Sequence, residues 1–108
     1  MTTTLKNLAD GLLATGALTT VYTAPAGTSA LVKAITITNA TAGVIACSVV
    51  INPRTAGTDR TLISARNVAA GGTDLCPEIV NMMIEAGGLL RVQGNGLTYM
   101  VSGAELVQ

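Results

Sequence analysis

The strongest constraint on the fold is a series of short β-branched and aliphatic runs that end at glycine-containing turns. No segment of about 11 residues or more places its apolar side chains at the i, i+3, i+4, i+7 spacing of an amphipathic helix. Strands that recur about every 8 to 15 residues between such turns are typical of antiparallel sandwiches and barrels. We therefore predict an all-β fold, an antiparallel β-sandwich or jelly-roll-like barrel of about eight short strands. The predicted strands are residues 11–14, 19–23, 30–38, 44–51, 61–68, 75–84, 89–93 and 97–106.

The chain has 108 residues, which is the size of one domain. We predict a single β-sandwich domain over residues 1–108. Residues 1–8 contain three consecutive threonines after Met1, a composition that suits an extended N-terminal arm lying along a neighbouring molecule. Leu5 of this arm is a candidate partner contact.

Charged residues are scarce. Six Lys and Arg balance six Asp and Glu, and together they make up 11% of the chain, against roughly 25% in an average soluble domain. So few charges leave a surface of Thr, Ala, Gly and aliphatic side chains, which is poorly protected against association. We therefore expect a homo-oligomer or an assembly with other chains.

The composition also argues against several partner classes. Nucleic-acid binding is not expected, because the net charge is zero and the chain has no basic run. Tyr22 and Tyr99 are the only aromatic residues, too few for a platform that stacks on bases. No apolar run approaches the roughly 20 residues of a membrane-spanning helix. We therefore expect neither nucleic acid nor a membrane as partner.

Two predicted strands, 44–51 and 75–84, are apolar on both faces when their residues are assigned alternately. A strand of a small sandwich needs only one apolar face, because the outer face contacts water. Something must therefore cover the second face. In so short a chain we expect a neighbouring subunit to do so, which again predicts an oligomer.

No constellation for catalysis or cofactor binding stands out. The chain has no His, and its carboxylates are dispersed singly, so neither an acid–base pair nor a metal-ligand spacing is present. Cys47 and Cys76 lack the paired spacing of a zinc or redox motif, and we expect them to be buried free thiols. We predict that the protein is not an enzyme and has no cofactor, no metal and no small-molecule substrate.

Four further residues are candidate partner contacts. Arg54 and Arg60 lie in or beside the longest predicted loop. They are either part of an exposed charged loop with one weak ion pair or the principal contact with a partner, since Arg is favoured at interfaces. Met82 and Met83 are consecutive in a predicted strand, so they should point to opposite faces. We expect one methionine to fill the core and the other to lie at an interface.

Several segments together resemble small β-sandwich virion structural proteins of tailed bacteriophages. Each is a turn followed or preceded by a strand, and their order along nearly the whole chain carries the resemblance. The segments are residues 8–11 (LADG), 21–28 (VYTAPAGT), 31–39 (LVKAITITN), 84–88 (IEAGG) and 99–105 (YMVSGAE). The chain departs from that pattern in having Ala104 where a bulkier aliphatic is expected.

The resemblance implies a structural role without catalytic residues. We expect a capsid decoration or cement protein that stabilises the assembled head, located in the virion after assembly in the host cytoplasm. Its partners would be the major capsid protein or other virion proteins. One alternative is a neck, tail or fibre-base component of the virion. A second alternative is a non-enzymatic cellular β-module that binds a ligand, against which the shortage of aromatic residues counts.

Overall fold

A computed structural model describes residues 2–107, which form nine β-strands and no helix. The all-β prediction is therefore confirmed. None of the described residues lies in a helix that could cross a membrane. The strands are β1 (Thr2–Leu12), β2 (Thr19–Thr23), β3 (Thr28–Asn39), β4 (Ile45–Asn52), β5 (Arg60–Val68), β6 (Thr73–Asp74), β7 (Met82–Ile84), β8 (Leu89–Gln93) and β9 (Leu97–Val107).

The strands form two antiparallel sheets with the core between them. The first, sheet A, has the order β1-β9-β3-β6, and β7 pairs with β3 beside β6. The second, sheet B, has the order β2-β8-β4-β5. Sheet A therefore ends in the long strand β1 on one side and in two short strands on the other.

Strand β3 shows how the sequence fills this core. Ala30 and Val32 point inward, and a β-bulge at Lys33 then shifts the alternation by one residue. Ile35 and Ile37 consequently face the same core, with relative exposures of 1% and 0%. Each such aliphatic side chain contributes about 1.5–3 kcal/mol by leaving water. The bulge lets one polar residue interrupt the apolar pattern without moving the later residues to solvent.

The first strand is longer than predicted. We expected residues 11–14, whereas β1 runs over Thr2–Leu12 and pairs with β9 from Thr2↔Val107 onward. Most of the segment that we assigned to an arm thus lies in this strand, and Met1 lies outside the described residues. Side chains from Thr2 to Asn7 are all exposed, so no inward apolar alternation marks this half of β1 in the sequence.

The predicted strand 75–84 is wrong over most of its length. Only its end forms β7, and a turn follows the two-residue β6. Asp74 Oδ1 accepts a hydrogen bond from the Cys76 backbone N–H at 2.8 Å, and Cys76 and Asn81 have positive φ values of 46° and 69°. Pro77 has no N–H to donate to a ladder. Cys76 and Ile79 are buried as parts of this turn, not as one face of a strand.

Strand β4 explains the other two-sided apolar pattern. Val50 points away from the core and is nevertheless only 6% exposed. Its neighbours on the outer face of sheet B are Arg91 of β8 and Thr61 of β5, which belong to the same chain. Neither two-sided pattern therefore requires a second subunit, and the oligomer stays a prediction.

Candidate interaction surface

Four strands of sheet A bring one apolar side chain each to the same line across its outer face. Leu5 of β1 lies opposite Ala104 of β9, and Ala104 lies opposite Leu31 of β3. Leu31 in turn lies opposite Met83 of β7. Directly opposite residues have Cβ atoms about 4.5–5.5 Å apart. We call these four residues the apolar row.

The two ends of the apolar row are open to solvent. Leu5 is 79% exposed and Met83 46% exposed, while Ala104 between them is buried, with 4% of its surface exposed. Leu31 points outward because its neighbours Ala30 and Val32 both face the core. The strands β9 and β3 approach closely here, since a Cβ added at Gly103 would collide with the carbonyl oxygen of Leu31. The row is therefore a consequence of core packing on the opposite side of the sheet.

The two methionines alternate as predicted, but neither lies in the core. Met83 faces outward beside Leu31, and Met82 lies opposite the buried Val32 on the inner side. Met82 is still 38% exposed, because β7 has only three residues and lies at the edge of the sheet. The expectation that one methionine fills the core is wrong. The core positions of this segment are taken by Ile79 and Ile84 instead.

The rest of this outer face carries few charges. Leu12 and Met100 point outward with exposures of 65% and 53%. Asp10, which lies opposite Met100, is charged, and so is Lys33, which is exposed at the bulge of β3. Its carboxylate accepts a hydrogen bond from Asn7 Nδ2 at 2.7 Å. The other outward positions are mostly Thr and Ser, so the face offers little electrostatic resistance to association.

Arg54 and Arg60 do not belong to the apolar row. Arg54 Nε donates to Glu85 Oε2 at 2.7 Å, and both side chains are more than half exposed, at 60% and 54%. An ion pair this exposed contributes little stability. Arg60 is exposed at the start of β5 and lies opposite Ile51 in sheet B. Among the five predicted contacts, the structure thus brings Leu5 and Met83 together on one face.

A polar cluster on the inner side joins the start of β1 to both sheets. The Tyr22 hydroxyl donates to Glu105 Oε2 at 2.5 Å, and Lys6 Nζ donates to Glu105 Oε1 at 3.2 Å. Burial and the neighbouring carboxylate raise the pKa of Tyr22 far above its usual value. The hydrogen bonds from Tyr22 and Lys6 lower the pKa of Glu105. Sequence reasoning missed this cluster, because its members are far apart along the chain and match no motif.

A second polar cluster connects the edges of the two sheets. Arg66 of β5 donates from Nε and Nη2 to the two oxygens of Asp74 at 2.8 and 2.9 Å, and it also binds Glu78. Partial burial would raise the pKa of Asp74, but the hydrogen bonds from Arg66 and the Cys76 N–H outweigh it and lower that pKa. The pKa of Glu78 is lowered by its bond to Arg66. Next to this cluster is an open depression of about 420 Å³, whose charged groups Arg66 and Asp74 pair with each other.

The cysteines behave as small buried hydrophobes. Cys47 and Cys76 are both fully buried and free. Burial raises the pKa of Cys47 to about 11 and that of Cys76 to about 12, so both are protonated thiols at neutral pH. Among the described residues, no group of three or more His, Cys, Asp or Glu side chains is arranged to hold a metal ion.

Comparisons of the chain with protein families, curated proteins and solved structures found no match. The functional argument therefore depends on the surface geometry and on the sequence resemblance. Of the surfaces described above, the outer face of sheet A presents the most exposed large apolar side chains, and its charges are few.

Proposed function

We propose that this protein is a structural component of a bacteriophage virion, a decoration or cement protein that binds the assembled capsid and stabilises it. One observation carries the proposal: the outer face of sheet A presents the apolar row in a surface with few charges. The motif resemblance supports the same class of protein. The major capsid protein is the proposed partner of this face.

Burial of this face supplies the binding energy in the proposal. Apolar surface removed from water contributes about 25 cal/mol per Å². Leu5, Met83 and Met100 remain substantially exposed in the single chain, so each has area left to bury against a partner. A lattice multiplies such modest contacts, because many copies act on one particle. Individual contacts therefore need not be strong.

Stabilisation of the shell follows from mass action. A protein that binds the assembled lattice but not free capsomers shifts the equilibrium towards the lattice. At a free concentration of 100 times the dissociation constant, this linkage contributes about 2.7 kcal/mol per site. The load that it would oppose is the internal pressure of packaged DNA.

The alternatives are distinguished by location and by ligand. A neck, tail or fibre-base protein would use the same face against a different virion protein. For the ligand-binding module, the depression beside Arg66 is the cavity to consider, yet its charged groups already pair with each other. That pairing leaves fewer convergent polar groups for a small molecule.

The experiment compares phage particles assembled with and without this protein. We expect particles that lack it to release DNA at a lower temperature or a lower chelator concentration, and cryo-EM to locate it on the capsid exterior. Equal robustness, or density only at the neck or tail, would contradict the capsid assignment.

Two substitutions test which face binds. Met83→Asp places a charge in the apolar row, and Val44→Asp is the control at another exposed apolar residue, 63% exposed, in the turn before β4. We expect the Met83 variant to bind particles lacking the protein at least tenfold more weakly and the Val44 variant to bind normally. Equal binding by both variants would exclude the outer face of sheet A as the docking surface.

A further inference from the structure

The four sheet edges of the described structure differ in how well they are protected from another strand. Strand β2 has five residues and a register shift between Thr20 and Tyr22. Strand β5 is interrupted twice in its pairing with β4, and Ala65 within it has a φ of 50°. The edge of sheet A beyond β3 is divided between β6 and β7, of two and three residues. Short strands and bulges are the usual devices that prevent edge-to-edge association.

The fourth edge, β1, lacks these devices over its first half. It is 11 residues long, and its register with β9 is uninterrupted from Thr2 to Asn7 before a bulge. No other described strand pairs with its far side, so alternate backbone N–H and C=O groups there have no ladder partner. A straight, open edge of this kind can accept one more strand.

Charge does not protect this half of β1 either. Lys6 is the one charged residue between Thr2 and Asn7, and a lysine on an edge strand commonly repels incoming strands. Here its ammonium is bound to Glu105 of the adjacent strand β9 at 3.2 Å. The charge is thus partly neutralised by the protein's own sheet, on the inner side of the sandwich.

We propose that a second copy of this chain pairs with this edge, β1 against β1, antiparallel about a two-fold axis at Leu5. Residues 3–7 of the two copies would form the ladder and join the two A sheets into one continuous sheet. The inference concerns the chain alone and does not rest on the proposed function.

The register follows from the side-chain alternation. Before the bulge, Thr3, Leu5 and Asn7 face outward, whereas Thr4 and Lys6 face inward. Opposite residues in an antiparallel pair share a face. The two-fold axis must therefore pass beside a residue that lies opposite the same residue of the second copy. An axis at Lys6 would place two like charges opposite each other, which is destabilising. An axis at Thr4 would leave Leu5 opposite Thr3.

The axis at Leu5 is the register that buries most apolar surface. It places Leu5 opposite Leu5 of the second copy and makes the two apolar rows one continuous line across both sheets. Leu5 is 79% exposed in the single chain and is thus the residue with most to gain. Lys6 then lies opposite Thr4 of the second copy, without a like charge.

A short ladder of this kind defines a weak interface. With five residues from each copy, we expect its area to fall below the ~1,200 Å² at the lower limit of standard stable interfaces. We therefore expect a reversible dimer with a dissociation constant on the order of micromolar. Dimerisation should depend on concentration and become complete only in concentrated solution.

Cysteine cross-linking tests the axis directly. In the proposed dimer, Leu5→Cys brings two thiols to directly opposite positions, close enough for a disulfide after oxidation by diamide, which accepts the two electrons released. Leu12→Cys is the matched control, on the same strand and outward face but beyond the ladder. The native Cys47 and Cys76 are fully buried and should not react in the folded protein. We expect the covalent dimer from the Leu5 variant at least tenfold faster than from the Leu12 variant.

Sedimentation of the unmodified chain provides the second measurement. We expect a monomer–dimer equilibrium that L5K weakens at least tenfold and that M100K, with the same charge placed on β9 of the same face, leaves within twofold. Unchanged thermal unfolding of L5K would show that it still folds. A chain that is monomeric at 100 micromolar or higher, or equal cross-linking at positions 5 and 12, would overturn the proposal. Loss of the dimer in M100K but not in L5K would indicate stacking of outer faces instead.

Discussion

The outer faces of the two sheets are built on the same alternation and differ in what covers them. In sheet B, Arg91 lies over the face and bonds to Asp59 at 2.6 Å and to Thr20 Oγ1 at 3.2 Å. Beside it, the outward-pointing Val50 is buried, with only 6% of its surface exposed. In sheet A, the outward Leu5 has no long polar neighbour in its row and stays 79% exposed.

The difference shows how a small sandwich can close one face and leave the other open. A long side chain such as Arg covers apolar surface with its methylene groups while its charged end stays near water. The centre of sheet B has one, whereas the corresponding positions of sheet A are Ala104 and Leu31. An apolar residue on sheet B therefore contributes to the stability of the single chain, and one on sheet A is available to a partner.

The largest expected effect separates these two roles. Val50→Ala should lower the free energy of unfolding by about 2 kcal/mol, because it removes aliphatic side-chain volume that the fold buries. Leu5→Ala, at an exposed position, should change it by no more than about 0.5 kcal/mol. Urea denaturation of both variants measures the comparison. Similar losses from the two substitutions would show that the faces are equally covered.

The next largest effect concerns the second polar cluster, in which Arg66 binds Asp74 and Glu78. Asp74→Asn should destabilise the protein by about 1.5 kcal/mol, because Asp74 is largely buried and loses charge-assisted hydrogen bonds to Arg66. Glu78→Gln is the milder control, since that carboxylate is 44% exposed in the same cluster.

The lowered pKa of Asp74 predicts that the free energy of unfolding depends on pH. This carboxyl has a lower pKa in the folded protein than in the unfolded chain, so its stabilisation is complete above the unfolded pKa of about 3.9 and is lost as pH falls through the folded pKa. We expect wild-type stability to decrease below about pH 4, and the Asp74→Asn variant to lose less over that range. Identical acid dependence of the two proteins would contradict the assignment.

A smaller effect tests the cover of sheet B. Arg91→Ala should lower the free energy of unfolding by about 1 kcal/mol, because it exposes Val50 and removes the ion pair with Asp59. Arg54→Ala removes a more exposed pair and should cost less than about 0.5 kcal/mol. Denaturant midpoints of the two variants give the ratio. An Arg54 variant as destabilised as the Arg91 variant would refute the covering role.

The smallest expected change in stability is that of a substitution on the outer face of sheet A, whose main effect is on the exposed apolar surface. Met83→Thr should alter the free energy of unfolding by less than about 0.5 kcal/mol, since threonine suits a strand and the side chain is 46% exposed. It should reduce the binding of a hydrophobic dye. Val44→Thr, which removes an apolar side chain outside the sheet faces, should not.

The parts of the fold that follow from sequence are those with an inward apolar pattern. Strands β3, β4, β8 and β9 combine β-branched residues with alternation or short apolar runs, and their predicted ranges agree with the structure to within a few residues. The sequence does not predict the first half of β1, because every side chain there is exposed and the strand is held by its pairing with β9 alone. The sequence predicts a strand at 75–81 because the segment is apolar in composition. Its apolar residues Cys76 and Ile79 are buried, but by the geometry of a turn and not by that of a strand.

The candidate surface was predictable only in fragments. Leu5 and Met83 were identified singly, from an arm composition and from the alternation of consecutive methionines. Sequence spacing could not join them, because the line that they share passes through β9 and β3 and depends on the register of three strand pairs. The other three predicted contacts, Arg54, Arg60 and Met82, lie elsewhere.

The sequence by itself determined that this chain is all-β, poor in charge and without a motif for catalysis, since composition and periodicity are local properties of the chain. The tertiary structure alone decided which apolar residues stay exposed. Val50 and Leu5 are both aliphatic and both point away from the core, yet Val50 lies beside Arg91 of the neighbouring strand β8 and is buried, whereas Leu5 has no such neighbour and is exposed. Exposure depends on neighbours that only strand pairing brings together, so the surface left for a partner is a property of the fold.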